Sequence, residues 1–156
     1  MKAAIYPGGG KPITIETLPD PRPGPLDLLI RVHRCGICGT DLAMTRGGSW
    51  DYGPNAQFGH EYAGEIIEVG AEVEGFSVGE RIAVLPSVAC GRCDPCRSHH
   101  NNVLCQARPD TAMHGFAEFA RVPASVATKL PSTLSMSDGA LIEPLAISLY
   151  GVQLAG

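Results

Sequence analysis

Four cysteines stand within sixteen residues: Cys90, Cys93 and Cys96 at two-residue gaps, and Cys105 nine positions further on. That spacing suits a tetrahedral zinc ion, which takes thiolate ligands at about 2.3 Å. Gly91 and Pro95 let the chain turn tightly enough to wrap three sulfurs around one ion, and Cys105 closes the sphere from the far end. A site with four protein ligands leaves no open position for a substrate, so its role is to fold the loop. Paired disulfides are the alternative use of four cysteines, and a reducing compartment disfavours them. Four thiolates around one divalent ion carry excess negative charge. Backbone N–H groups and the flanking Arg92, Arg97 and Arg108 are the groups available to offset it. His99 and His100 lie in the same loop and are candidate substitutes for a cysteine ligand, with exposed loop positions the plainer expectation.

A second set of metal-type side chains is scattered: Cys38 in Cys-Gly-Thr-Asp, His60 and Glu61 in Gly-His-Glu, and Glu143 just before Pro144. Singly, each has an ordinary explanation as a core thiol, a surface imidazole or a solvated acid. Glu143 is the least ordinary, because Leu141-Ile142-Glu143-Pro144-Leu145 is an apolar setting. A carboxylate in such a setting needs a partner, and a metal is one. Cys35 and Cys38 also form a C-x-x-C pair, a spacing shared by dithiol redox motifs and half zinc knuckles. No helical pattern begins at Cys38, as a thioredoxin-like site requires, so a reversible disulfide is not expected there.

The elements that must carry these groups are mostly short strands. Lys2–Tyr6 reads as a strand, ended by Pro7-Gly8-Gly9-Gly10. That glycine run is a turn rather than a phosphate loop, since no G-K-[ST] follows and no helix opens. Ile13–Leu18 reads as a second strand, and Leu18–Gly24, with Pro19, Pro21 and Pro23, as extended loop. Leu28, Ile30 and Val32 alternate with Leu29 and Arg31, the pattern of a half-buried strand. Tyr62–Val69 and Arg81–Leu85 are further strands, with Gly70–Gly79 a turn region between them, and Phe116–Val122 alternates again. Many short strands with frequent glycine breaks predict a small barrel or sandwich. Ser135-Met136-Ser137-Asp138 is a capping box, and Leu141, Leu145, Leu149 and Val152 follow at helical spacing. The pattern predicts one helix over about 137–154, bent near Pro144.

Composition limits the function classes. A length of 156 residues fits one domain, 44% hydrophobic and 18% charged is ordinary for a globular chain, and the net charge is -4. Phosphate contacts need clustered Lys and Arg, and no such cluster exists, so a nucleic-acid partner is not expected. The longest apolar stretch, Gly139–Gly156, is interrupted by Glu143 and Pro144, so no membrane partner is expected. The N-terminus lacks the apolar run of a signal peptide, which makes a cytoplasmic location the expectation.

In order along the chain, Cys-Gly-Ile-Cys-Gly-Thr-Asp at 35–41, Gly-His-Glu-Tyr-Ala-Gly-Glu at 59–65 and Val-Gly-Glu-Arg-Ile-Ala-Val at 78–84 precede the cysteine lobe. Gly-Phe-Ala-Glu-Phe at 115–119 and Ile-Glu-Pro-Leu at 142–145 follow it. This succession resembles the zinc-dependent medium-chain dehydrogenase/reductase family, and the Glu-Pro-Leu ending is similar to its polyol and threonine dehydrogenase branch. The resemblance covers nearly the whole chain. It implies a mainly β, GroES-like small barrel over residues 1–156, with a structural zinc lobe at about 88–108 and a C-terminal helix. It implies that Cys90, Cys93, Cys96 and Cys105 hold a structural zinc. Cys38, His60 and Glu61 would hold a catalytic zinc, Glu143 would bind that zinc or its water, and Thr40 would accept the substrate hydroxyl proton. Which of Glu61 and Glu143 is the direct ligand stays open. The substrate implied is a small alcohol or polyol, oxidised with NAD(P); NAD or NADP, and a homo-oligomer, are left undecided.

The sequence departs from the family at three places. The cysteine lobe has one extra residue between its third and fourth ligands, a cheap insertion. Ala43 stands where many relatives have a histidine of the proton relay, which leaves water or a group such as His33 to take that part. The family's nucleotide-binding Rossmann domain carries a G-x-G-x-x-G turn, and these 156 residues contain none. The expectation is therefore a chain that stops before that domain and does not turn over alone. The competing expectation is a non-catalytic zinc-binding structural or interaction module derived from the same family.

Overall fold

The computed structural model describes residues 1–98, 105–107 and 112–156; His99, His100 and Arg108 lie outside the described residues. Among the described residues, eight strands and four α-helices follow in the order β1 (Lys2–Tyr6), β2 (Thr14–Thr17), β3 (Asp27–Gly36), α1 (Gly39–Met44), β4 (Ala56–Gln57), β5 (Glu61–Val69), β6 (Arg81–Val84), α2 (Asp94–Ser98), β7 (Phe119–Pro123), β8 (Ala127–Lys129), α3 (Met136–Ala140) and α4 (Ile142–Ala155). One sheet runs β2-β1-β4 and the other β7-β3-β5-β6-β8, and every pairing among the described residues is antiparallel.

The alternation in β3 holds in part: Leu28 and Ile30 are buried and Val32 is half-buried, but Leu29 on the other face is buried as well. Leu28 and Ile30 are fully buried and meet Ile66 of β5, Ile82 and Val84 of β6 and Val122 of β7 in one apolar cluster. Burial of such side chains contributes about 1.5–3 kcal/mol each. Residues 116–118 depart from the expected continuous strand. They leave the line of β7 and pair with β1 instead: Ala3 bridges Ala117, Ala4 N–H donates to the Phe116 carbonyl, and Glu118 N–H donates to the Lys2 carbonyl. A strand that changes partners in this way joins the two sheets into a small barrel.

Two sequence expectations need correction. A helix does begin at Cys38: the thiol caps α1 by accepting from Thr40 N–H at 3.4 Å, while Asp41 returns a hydrogen bond from its carboxylate to Cys38 N–H at 2.9 Å. The helix is only six residues long, too short for the apolar periodicity by which helices are read. The single helix predicted over 137–154 is two helices, with the break at Leu141 rather than at Pro144. A proline ring clashes with the carbonyl four residues back, so an uninterrupted helix is disfavoured. Restarting at Ile142 puts Pro144 in the first turn of α4, where its missing N–H costs nothing. The capping box at Ser135 and Asp138 forms as the sequence predicts.

These two helices pack against β5 and β6 over a second, smaller cluster of Ala63, Ala83 and Leu130, flanked by Leu134, Met136 and Ile142. Arg81 anchors the approach to them. Its guanidinium donates to the carbonyls of Leu134 and Pro131, both at 2.9 Å. Leu145, Leu149 and Val152 of α4 are all more than half exposed, and among the described residues nothing covers them. No helix is long and apolar enough to cross a membrane among the described residues.

Replacing Arg81 by Met keeps the aliphatic stem and removes both guanidinium bonds. Urea unfolding is expected to show a loss of about 1.5–3 kcal/mol, the scale of a hydrogen bond made by a charged group.

Candidate metal centres

The register of β3 on β5 brings the scattered donors together. Cys35 stands opposite Tyr62 and Gly36 opposite Glu61, so the exit of one strand meets the entry of the other. Cys38 follows two residues beyond Gly36, and His60 comes one residue before Glu61. The donor atoms of Cys38, His60 and Glu61 consequently all lie within 4.8 Å of one another. Gly36 is needed for this close approach, because a Cβ there would collide with the Glu61 carboxylate.

Asp41 organises the cluster from behind. It is 2% exposed. Its Oδ2 accepts from Cys38 N–H, and its Oδ1 accepts from the Tyr52 hydroxyl at 2.7 Å. The same Oδ1 lies 3.4 Å from Nδ1 of buried His60, an approach without the alignment of a full hydrogen bond. Burial opposes the Asp41 charge, but His60, Tyr52 and Cys38 N–H outweigh it and hold the carboxyl below its ordinary range. Asp41 in turn raises His60 to about 9 against the lowering effect of burial, with Cys38 adding to the rise. A carboxylate behind a ligating imidazole is the usual device for fixing its ring orientation. Sequence reading passed over Asp41 and Tyr52. The Asp at the third helical position after a potential N-cap was a usable signal for the former, and nothing local pointed to the latter.

Glu143 stands in the first turn of α4 and is 6% exposed. Burial pushes its carboxyl up; His60 opposes this and Glu61 adds to it, so the three groups share one electrostatic neighbourhood. Its oxygens are not among the three donors that fall within 4.8 Å of one another. Thr40 lies half-buried on the first turn of α1, beside the thiol of Cys38. Ala43 is on the same helix and offers no polar group, and His33 is exposed on β3. Cys35 is a free thiol, pushed up to about 12 by burial and then by the charges of Asp41 and Glu61. A thiol so reluctant to ionise is a poor nucleophile at neutral pH.

The second cluster is the lobe. The sulfurs of Cys90, Cys93, Cys96 and Cys105 lie within 4.8 Å of one another, with Cys96 buried at the start of α2. Tetrahedral bonds of 2.3 Å require sulfurs about 3.8 Å apart, so the set fits zinc without rearranging the backbone. Backbone donors already face the thiols: Cys93 N–H donates to Cys90 Sγ and Cys90 N–H to Cys105 Sγ, each at 3.3 Å. The N–H groups of Arg92 and Cys93 hold Cys90 at about 6, whereas Cys96, facing Cys93 at 3.3 Å, is pushed up to about 12. The donors of the first cluster fit the same metal differently. One thiolate, one imidazole and one carboxylate make three ligands, the number that leaves a fourth position open.

Comparison with known proteins identifies the family and the fold. The alcohol dehydrogenase GroES-like domain family matches residues 24–132. Sorbitol dehydrogenase of Bacillus subtilis (strain 168) is 38% identical over 160 residues, covering 96% of this chain and 44% of that protein. L-threonine 3-dehydrogenase of Burkholderia ambifaria (strain MC40-6) is 33% identical, covering 92% and 44%. A structure described as a zinc-binding dehydrogenase of Sinorhizobium meliloti 1021, bound to NADP, superposes with a TM-score of 0.88 at 38% identity, covering 98% of this chain and 45% of that one. The 2R,3R-butanediol dehydrogenase of Bacillus subtilis gives 0.78 at 32% identity, with 97% and 46% covered. The chain thus spans less than half the length of the relatives it matches.

Gly59 sets the direction in which His60 enters the cluster. Its φ is +91°, and a Cβ there would lie 2.6 Å from the Phe116 ring. Gly59→Ala is expected to destabilise the fold by about 2–3 kcal/mol, since it combines an unfavourable backbone region with a clash. Thermal unfolding followed by circular dichroism measures this.

Proposed function

The chain belongs to the alcohol dehydrogenase GroES-like domain family, and on that premise we propose that it forms the metal- and alcohol-binding part of a zinc-dependent alcohol or polyol dehydrogenase. The observation that carries the reading is the convergence of Cys38, His60 and Glu61 within 4.8 Å, with buried Glu143 beside them. A structural remnant needs the four-cysteine lobe alone and has no use for this second set.

In this proposal residues 1–156 make one catalytic domain, and the loop around Cys90–Cys105 is its structural zinc lobe. Cys38, His60 and Glu61 hold the catalytic ion, with Glu143 as the reserve carboxylate toward the metal or its water. Zinc bound there supplies Lewis acidity, which favours the ionised form of a hydroxyl group. The chain's own residues do the rest. The thiolate and a carboxylate would neutralise the ion's charge, and His60, which must give up its proton to ligate, is oriented by Asp41. Thr40 accepts the proton of the substrate hydroxyl, and with Ala43 in the neighbouring turn the onward path runs through solvent. The hydride acceptor is a nicotinamide held outside these residues, which carry no G-x-G-x-x-G turn.

The test is metal content together with turnover. Purified chain is expected to hold two zinc ions and to show no alcohol- or polyol-dependent reduction of NAD⁺ or NADP⁺ by itself. A single zinc, retained when Cys38 is replaced, would instead make this a structural zinc module. The two sites also predict different sensitivities. Cys105→Ser opens a closed site and undermines folding, whereas Cys38→Ser removes a ligand from an open one. The first variant is expected to melt at the lower temperature, as measured by calorimetry on zinc-loaded protein.

A further inference from the structure

Tyr52 is not a ligand, and it sits on the loop between α1 and β4 rather than on either strand that presents the donors. Its hydroxyl nevertheless donates to Asp41 Oδ1 at 2.7 Å, the same oxygen that faces Nδ1 of His60. The other oxygen, Oδ2, is taken by Cys38 N–H. A carboxylate held at both oxygens cannot rotate. One oxygen fixes the backbone of the thiol donor, and the other faces the imidazole at 3.4 Å and limits how that ring can turn. The Tyr52 ring is itself seated, with its centroid 5.5 Å from that of Phe58. Its backbone N–H donates to the Met44 carbonyl at the end of α1.

We infer that Tyr52 is a positioning residue for the three-donor metal centre, acting through Asp41 on the orientation of His60. The inference rests on the reading of Cys38, His60 and Glu61 as metal ligands. The loop carries a natural control. Its neighbour Asp51 accepts from the Tyr6 hydroxyl at 2.7 Å, and Tyr6 in turn accepts from Gly10 N–H. That pair steadies the same loop from the β1 side without touching Asp41. A purely structural role for the loop would make Tyr6 and Tyr52 equivalent, whereas a role in holding Asp41 separates them.

Outer partners of ligating histidines are worth roughly 10–100-fold in metal affinity. The experiment titrates zinc against a chelator in wild-type protein, Tyr52→Phe, Tyr6→Phe, Asp41→Asn and the Tyr52→Phe/Asp41→Asn double variant. Cobalt absorption of the weaker site is recorded in parallel, its bands assigned by their loss in Cys38→Ser. Tyr52→Phe retains the ring against Phe58, so it is expected to fold, with a melting temperature lowered by the loss of one hydrogen bond to a buried charge. Its weaker zinc site is expected to lose roughly tenfold in affinity and its cobalt bands to shift. Tyr6→Phe is expected to leave both unchanged. The double variant is expected to bind no more weakly than Asp41→Asn alone, because the hydroxyl acts only through that carboxylate. Wild-type affinity and spectrum in Tyr52→Phe, an equal loss in Tyr6→Phe, or additive losses in the double variant would each overturn the inference while leaving the metal centre intact. Absence of a second metal in wild type would overturn the metal centre itself and the inference with it.

Discussion

A buried carboxylate must be met by donors on every side, and in this protein that demand falls on Asp41. Left unpaired, such a charge costs several kcal/mol and the helix carrying it would not stay in place. Three groups meet it: the N–H of Cys38, the hydroxyl of Tyr52 and the imidazole of His60. Each lies on a different piece of chain. Satisfying one acid therefore pins the start of α1, the loop after it and the residue before β5 to a common point. Two of the three proposed ligands are positioned by that requirement, and Glu61 follows because it is next to His60.

The two cysteine-containing clusters solve the problem of concentrated charge in different ways. In the lobe, backbone N–H groups point at sulfur, and closely spaced glycine and proline turns make this possible with few residues. The solution is local and needs little from the barrel. The other cluster mixes sulfur, nitrogen and oxygen donors, and the contacts that hold it reach across the chain, from Asp41 to His60 and to Tyr52. A closed, local site suits a structural ion, whereas an open site has to be supported by the surrounding fold so that it stays ordered with a position unfilled.

Glu143 shows how secondary structure is bent to serve this arrangement. Its helix restarts at Ile142, so that Pro144 falls where a proline is tolerated and the acid is carried inward on the first turn. Arg81, on β6, holds the carbonyls of the segment leading into α3 and so fixes where the pair of helices sits on the sheet. The acid reaches the neighbourhood of His60 and Glu61 through these contacts with β5 and β6 rather than through any affinity of its own.

The longer strands, the capping box at Ser135 and the spacing of the four-cysteine lobe were legible in the sequence, because each rests on interactions spanning only a few residues, whereas β4 and β8, two and three residues long, were not. Alternation at Leu28, Ile30 and Val32 reports a buried face, Ser135 and Asp138 satisfy each other's backbone, and three cysteines at two-residue gaps reach one point in any tight turn. The ordered succession of motifs likewise identified the family. The helix after Cys38 was hidden, since six residues show no period, and so was the position of the break, at Leu141 rather than at Pro144 itself. Tyr52 was invisible as well: eleven residues separate it from Asp41, and only the folded loop brings its hydroxyl to that oxygen. Which residues were available to bind metal was decided by the amino-acid order. Which of them converge was decided by the register of β3 on β5 and by the buried acid that locks it, both of them long-range constraints that no local pattern encodes.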